Sequence, residues 1–219
     1  NMVLLQAAEA EVASLNLMDM AMKGGWIMIP LLLLCIMAIY IFIERLIVIR
    51  KASYKDPSFM NKIKDYINEG KIDAALTLCK NTDTPYSRMV EKGIERLGRP
   101  MNDVLVAVEN VGNIEVGKLE RGLSLLATTA GGGPMIGFLG TVIGMIQAFF
   151  NMANAGNNVD VTSLADGIYT AMVTTVAGLI VGIIAFFAYN YLTSKVDTVV
   201  NNMEARTLEF MDILNEPAN

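Results

Sequence analysis

The chain has 219 residues, of which 53% are hydrophobic and 18% charged, and it carries a formal net charge of -5 with no histidine. Average globular chains are about 25% charged, whereas this chain has no charged residue in the runs 24–43, 122–159 and 167–194. A helix needs about 20 apolar residues to cross the core of a bilayer. The composition therefore excludes a water-soluble globule and predicts an all-α polytopic membrane protein with three transmembrane helices.

Missing side chains exclude several kinds of chemistry. Histidine is the side chain most often used for acid-base catalysis near neutral pH and for binding transition metals, so zinc chemistry and Ser/His/Asp catalysis are excluded. We expect no enzyme activity, no metal site and no cofactor. Cys35 lies in an apolar run and Cys79 in a polar one, which predicts ordinary buried thiols. The acidic balance argues against nucleic acid as a partner.

Residues 1–23 are predicted to form an external N-terminal segment. The segment has neither the basic start nor the continuous apolar stretch of a complete signal peptide. Two interpretations stay open, namely the mature start of a processed chain and an amphipathic helix. The helical spacing of four apolar residues favours the helix: Val12, Leu15, Met18 and Met22.

Transmembrane helix 1 is predicted over residues 24–46. The run is rich in Leu, Ile and Met, and Pro30 lies in its first turns, where a lost helix hydrogen bond matters least. This composition predicts a helix that faces lipid. Glu44 and Arg45 follow the apolar run and are expected to hydrate or to bond to one another at the cytoplasmic surface.

The distribution of basic residues predicts the orientation of the chain. Fourteen of the 17 basic residues lie from Arg45 to Arg121, whereas the loop predicted at 151–163 has none. Lys and Arg accumulate in cytoplasmic segments of membrane proteins. We therefore expect the region 47–121 and the C-terminus to be cytoplasmic, and the N-terminus and the loop 151–163 to be periplasmic.

The cytoplasmic region 47–121 is predicted to be helical. Asp56-Pro57 and Thr84-Pro85 are typical helix starts, and Gly70 and Gly98 are typical helix ends. No proline occurs between Met101 and Pro134. The second span is therefore predicted to begin inside the cytoplasm as one continuous helix over 101–150, about 75 Å long.

Transmembrane helix 2, predicted over 122–150, is rich in glycine. Gly133 with Gly137 and Gly140 with Gly144 form two pairs of small residues at the spacing that lets helices approach closely in lipid. We expect this face to bury against neighbouring copies of the chain. Pro134 removes one backbone hydrogen bond after three glycines and is expected to bend the helix.

Transmembrane helix 3, predicted over 164–194, has two unlike faces at 100° per residue. One face is large and apolar, and the other is small and bears hydroxyls: Thr170, Thr174, Thr175, Gly178 and Gly182. Two interpretations stay open for the threonines. They help the helices to pack by bonding to carbonyls one turn back, or they line an ion pathway together with Thr141.

The C-terminal residues 195–219 are predicted to form a cytoplasmic helix. An apolar stripe runs among its polar residues: Val196, Val200, Met203, Phe210 and Leu214. A helix with such a stripe outside the membrane needs a partner. We expect a cytoplasmic helical bundle that continues the second and third spans.

Two motifs resemble those of a known family. Gly-Thr-Val-x-Gly at 140–144, inside the glycine-rich stretch 126–145, and Thr-x-x-Gly-Leu at 175–179 are similar to motifs of the MotA/TolQ/ExbB proton-channel family. The three-span layout is similar to ExbB and TolQ rather than to the four-span MotA, and the resemblance is closest to ExbB. It implies a homopentamer around the single helices of an ExbD-like or TolR-like dimer.

The resemblance also implies roles for individual residues. Thr141 and Thr175 match pore-lining threonines of the family, whereas Thr170 stands where the best-known ExbB and TolQ chains carry a glutamate. A threonine hydroxyl cannot store a proton at neutral pH, so a carboxylate must come from the partner. Asp166, near the external mouth, is either a possible ion entry or an acid stabilised by the helix macrodipole; the second interpretation is favoured.

These observations favour an ion-driven motor subunit of the bacterial inner membrane that, with an ExbD-like partner and a TonB-like protein, powers TonB-dependent outer-membrane transport. A TolQ-like role and a gliding-motor stator stay open, as does the choice between protons, which are favoured, and sodium. The alternative from another class is a membrane scaffold that recruits proteins through its cytoplasmic helices. A secondary transporter is disfavoured because the spans show no inverted repeat.

Overall fold

The computed structural model describes residues 24–54, 56–154 and 161–215. The described residues are almost entirely helical and include no strand. A short 3-10 turn at Gly25–Ile27 precedes seven helices: α1 (Met28–Ala52), α2 (Phe59–Asn68), α3 (Ile72–Thr82), α4 (Pro85–Ile94), α5 (Met101–Glu120), α6 (Leu123–Asn154) and α7 (Val161–Asn215). The external segment predicted at 1–23 lies outside the described residues.

Three segments are long and apolar enough to cross a membrane, as the sequence predicts. They are Gly25–Ala52, Met101–Asn154 and Leu164–Asn215. The all-α, three-span fold class is therefore confirmed. Along α1, large apolar side chains such as Leu32, Leu33 and Ile36 are exposed, as a helix that faces lipid requires.

The chain divides into two compact units. The apolar unit comprises the described residues up to Met37 together with Thr128–Ala185, and the charged unit comprises Ala38–Ala127 together with the described residues from Phe186 onward. Each unit has its own buried core.

Short helices with clear end signals build much of the charged unit. The Thr84 side chain caps α4 by accepting a hydrogen bond from the backbone N–H of Ser87, and the Ser87 side chain accepts one from the backbone N–H of Thr84. Pro85 occupies the first turn, and Gly70 and Gly98 adopt positive φ angles beyond α2 and α4. These helix boundary signals are the ones that the sequence predicts.

Aromatic residues fill the core of the charged unit. Phe59 packs edge-on against Tyr86 with ring centroids 5.1 Å apart. On α7, the predicted apolar stripe is buried at Val196, Met203 and Phe210. The Phe210 ring lies so close to Gly93 that no Cβ fits there without a shift, so this part of α7 finds its partner within the same chain.

The prediction of one continuous helix over 101–150 is wrong. Helix α5 ends at Glu120 and α6 begins at Leu123, because Gly122 adopts a left-handed backbone with φ of 84°. The four C-terminal carbonyls of a helix lack partners within it, and the buried Arg45 guanidinium donates to one of them, the Lys118 oxygen, at 2.8 Å. Arg45 also binds the neighbouring Glu44 carboxylate.

The later boundaries also differ from the predicted segments. Helix α6 continues to Asn154 and α7 already begins at Val161, so both ends of the loop predicted at 151–163 are helical. No glycine or proline interrupts residues 151–154, which explains the longer helix. The predicted C-terminal helix is the uninterrupted continuation of α7 to Asn215, and Pro134 does not interrupt α6.

Candidate functional site

The two glycine faces of α6 and α7 meet one another inside the apolar unit. A Cβ added at Gly137 would lie 2.7 Å from the Thr174 carbonyl oxygen, and one added at Gly133 would lie 3.0 Å from the Gly178 carbonyl oxygen. A Cβ at Gly182 would lie 2.6 Å from the Pro134 ring. Distances of this kind leave no room for a side chain, so the backbones are in direct contact.

Further small residues extend this contact along both helices. A Cβ at Gly144 would lie 2.9 Å from the Ala171 Cβ, and one at Gly140 would lie 2.7 Å from the Thr174 Cβ. The prediction that the small faces bury against neighbouring copies therefore needs correction. Because both helices carry complementary faces, they bury against each other within a single chain.

Three threonine hydroxyls lie together in this contact. The Thr174 hydroxyl is buried and donates to the Ala171 carbonyl at 2.7 Å. The Thr175 hydroxyl lies 3.2 Å from the Gly137 carbonyl, and the Thr141 hydroxyl lies 3.1 Å from the Ala171 carbonyl. Thr141 and Thr175 also bond directly to one another through their hydroxyls. We call these three side chains and two carbonyls the hydroxyl cluster.

The hydroxyl cluster has more acceptors than hydrogens. Each threonine hydroxyl carries one hydrogen and two acceptor lone pairs, so three hydrogens serve the three hydroxyls. All three have acceptors within the cluster, since Gly137 and Ala171 supply carbonyl oxygens on opposite helices. The hydrogen-bonding capacity that remains in the cluster is therefore that of acceptor lone pairs on oxygen. These lone pairs can accept a hydrogen from water or ligate a cation.

The remaining predicted residues lie along α7, nearer to its start. Thr170 is half-buried one turn before Thr174, and Asp166 is exposed one turn before Thr170. Asp166 is thus the nearest acid in the sequence to the hydroxyl cluster, and the charge-free runs 122–159 and 167–194 contribute none. Sequence reasoning identified the threonines but missed the carbonyls of Gly137 and Ala171, because a backbone acceptor has no sequence signal of its own.

Outside the apolar unit, the alternative sites are Cys79 and a set of ion pairs. Burial raises the pKa of the Cys79 thiol to about 12, which leaves it protonated and unreactive. No cluster of potential metal ligands occurs among the described residues. The geometry therefore directs attention to the hydroxyl cluster.

Ion pairs join several elements of the charged unit. Arg88 binds Asp83 and, at 2.7 Å, the buried carboxylate of Glu115, which also binds Lys118. Lys51 binds Asp83 at 3.1 Å. The Lys51 hydrogen bond and the positive charge of Arg88 hold the pKa of Asp83 below its ordinary value. These charges are paired with one another, as expected of a structural network, although the buried Nε of Arg88 has no hydrogen-bond partner among the described residues.

Comparison with known proteins identifies the family. A model described as the MotA/TolQ/ExbB proton channel family matches residues 81–205. The chain belongs to this family. The matched residues cover more than half of the chain and contain the whole hydroxyl cluster, Thr170 and Asp166.

Individual members of the MotA/TolQ/ExbB family are similar over most of the chain. An ExbB homologue of Methanothermobacter thermautotrophicus is 29% identical over 86% of this chain and 67% of its own length. An ExbB-like biopolymer transport protein of Synechocystis is 30% identical over 82% of this chain and 71% of its own length. The Tol-Pal system protein TolQ of Haemophilus influenzae is 35% identical over 48% of this chain and 46% of its own length.

Membership in the MotA/TolQ/ExbB family fixes the class of protein. With three apolar helices long enough to span a bilayer, the chain is a multi-pass inner-membrane protein of an ion-driven, stator-like type. The family is defined by channel and transport function and not by a class of enzymatic reaction.

Proposed function

We propose that the chain is the ExbB-like subunit of an ion-driven motor, and that the hydroxyl cluster lines the path of the ion. The observation that carries the proposal is the meeting of Thr141, Thr174 and Thr175 in a span contact that is otherwise built from small apolar residues. Packing alone needs small side chains, whereas three hydroxyls at one level add a polar zone.

In this proposal, a partner subunit supplies the ionisable group of the ion pathway. Residues 167–194 and 122–159 contain no acid, and a hydroxyl passes a hydrogen bond but does not store a proton at neutral pH. A one-span subunit of the ExbD or TolR type, bound as a dimer inside a pentamer of this chain, supplies an intramembrane carboxylate. Each elementary charge that crosses delivers about 2.3 kcal/mol per 100 mV, which drives movement between the two subunit sets.

The transported ion is the proton in this proposal. The family description is that of a proton channel, and the hydroxyl cluster can orient water toward the partner's carboxylate through its free lone pairs. Oxygen ligands also suit a hard cation such as sodium, which makes sodium coupling the competing outcome. Thr170 extends the polar path by one turn, whereas Asp166 stays assigned as an exposed acid stabilised by the helix macrodipole.

TonB-dependent outer-membrane transport is the process that we propose the motor powers. Relatives named ExbB match 44% to 86% of this chain, and the TolQ relative matches 48%. Relatives that match more than four fifths of the chain carry the name ExbB, which favours an ExbB-like role over a TolQ-like or gliding-motor role. In this assignment the N-terminus is periplasmic and the C-terminus is cytoplasmic.

The test is reconstitution of the chain with its one-span partner in proteoliposomes, with a proton gradient imposed in sodium-free buffer. We expect proton uptake by the complex, measured with a pH-sensitive dye, and no uptake when the partner's intramembrane carboxylate is replaced by its amide. Uptake that requires added sodium would overturn proton coupling. Equal uptake by the chain without a partner would overturn the shared pathway.

A further inference from the structure

A surface groove in the charged unit shares no residue with the hydroxyl cluster. Its volume is about 560 Å³. Two helices form its long sides and α4 contributes one residue. The lining side chains are Met89 from α4, Leu105, Glu109, Asn113 and Val116 from α5, and Val200, Met203, Glu204, Thr207 and Leu208 from α7, with Gly112 between them.

The groove is shaped like a seat for a helix. Its α5 residues recur at helical spacing from Leu105 to Val116, which corresponds to about 16 Å, or three turns. Gly112 keeps the floor open, since a Cβ there would lie 2.8 Å from the Met89 Sδ-methyl carbon. Met89 and Met203 form the buried floor, and flexible methionines adapt to the side chains of a ligand.

The rim of the groove is acidic. Glu109 and Glu204 are exposed, and within the described part of the chain neither forms an ion pair with a cationic side chain closer than 4.0 Å. No Lys or Arg lines the groove. The stretches that carry the groove are acidic, because α5 (residues 101–120) and residues 196–215 of α7 each contain four acids and one base.

From this combination we propose that the groove binds a cationic amphipathic helix of a partner protein. An apolar stripe of the ligand lies on the methionine floor, in the helix-in-groove mode of recognition. Basic residues beside that stripe pair with Glu109 and Glu204 across the rim. This docking surface goes beyond the proposed ion-driven function, since it shares no residue with the hydroxyl cluster.

A second copy of this chain fits the groove less well than a separate partner. The basic part of the chain is residues 50–99, and five of its eleven cations form ion pairs with acids: Lys51, Lys62, Lys71, Arg88 and Lys92. Among the described residues 50–54 and 56–99, Tyr54 is the large apolar side chain that is exposed. The region therefore lacks the apolar stripe that the groove would bury.

The test measures binding of a defined peptide to the full chain in phosphatidylcholine nanodiscs. The probe is a fluorescein-labelled peptide of about 15 residues with leucines at positions i, i+3, i+4 and i+7 and lysines elsewhere, and anisotropy is corrected with empty nanodiscs. We expect saturable binding that the double variant Glu109→Gln, Glu204→Gln weakens by about tenfold, because two rim ion pairs are lost.

The matched control is the double variant Asp103→Asn, Asp212→Asn, which removes the same charge from the same helices outside the groove. It should change the affinity by less than about twofold, and Thr175→Val should not change it, which separates this proposal from the ion pathway. If both double variants weaken peptide binding equally, the binding depends on net charge and not on the groove, and the proposal is overturned. Disulfide-linked dimers of an Asn113→Cys variant that exclude the peptide would assign the groove to a second copy and overturn the proposal.

Discussion

In the proposed ion pathway, Thr175 on α7 reaches across to the opposite helix, because its hydroxyl contacts two groups of α6. It lies 3.2 Å from the Gly137 carbonyl and bonds to the Thr141 hydroxyl. Thr174 is different, since it is buried and its shortest bond is to a carbonyl of its own helix. The three threonines of the hydroxyl cluster are therefore not equivalent, although they are neighbours on the helical wheel.

Removing single hydroxyls tests whether Thr141 and Thr175 act on the ion. Thr141→Val and Thr175→Val keep the side-chain shape, so each should cost only about 1 kcal/mol of stability for one lost hydrogen bond. We expect both variants to assemble with the partner but to lose ion-driven proton uptake in proteoliposomes.

The control for these variants is Thr198→Val, which removes an exposed hydroxyl that donates to the Ser194 carbonyl on the same helix. This variant should keep its activity. If Thr141→Val and Thr175→Val remain as active as Thr198→Val, the hydroxyl cluster serves only to pack the helices.

At the scale of elements, the contact of α6 with α7 shows what a sequence pattern can predict. The spacing of Gly133, Gly137, Gly140 and Gly144 predicts a close helix approach, and each of these glycines does face α7. The pattern does not say which helix is the partner, because small faces on two copies or within one chain give the same spacing. That choice depends on three-dimensional complementarity between whole faces.

Alanine substitutions distinguish a glycine in the contact from one outside it. Gly137→Ala places a Cβ 2.7 Å from the Thr174 carbonyl oxygen, whereas Gly131→Ala meets no atom within 4 Å. We expect Gly137→Ala to destabilise the protein by about 1–3 kcal/mol through overpacking and Gly131→Ala to leave its stability unchanged or higher. Thermal unfolding in detergent measures both, and equal melting temperatures would contradict the packing described for α6.

Other elements were predictable to different degrees. The helix starts at Thr84 and Pro85 and the end at Gly98 follow local backbone rules that act within a few residues, so the sequence alone predicts them. The interruption at Gly122 was not predicted, because a single glycine inside an apolar pattern is also tolerated within a helix. The end of α5 also bonds to Arg45, which is distant in sequence and donates to the Lys118 carbonyl, and such a contact has no signal in the local pattern.

For the whole molecule, protonation of the charged unit should affect the pH dependence of unfolding. The folded-state pKa of Asp83 is lowered, mainly by the Lys51 hydrogen bond and then by the positive charge of Arg88. A lowered pKa contributes stability that is present above the unfolded-state value and is lost as the pH falls through the folded-state value.

Asp83→Asn should therefore lower the melting temperature slightly at pH 7 and make unfolding less dependent on pH below about 4. The effect should be small, since the Asp83 side chain is more than half exposed and exposed ion pairs contribute little. The variant Asp65→Asn, at another exposed acid of the same unit, is the control. An identical acid-dependent loss of melting temperature in wild type and Asp83→Asn would contradict the prediction.

The left-handed residue Gly122 also affects how the chain tolerates changes in length. Within an unbroken helix, one inserted residue rotates everything beyond it by about 100° and shifts it by 1.5 Å. An insertion in α5 would then turn the glycine face of α6 away from α7. Because α5 and α6 are separate helices joined through Arg121 and Gly122, we expect the junction to absorb that rotation, so that one residue inserted in α5 leaves the phase of the span beyond it unchanged.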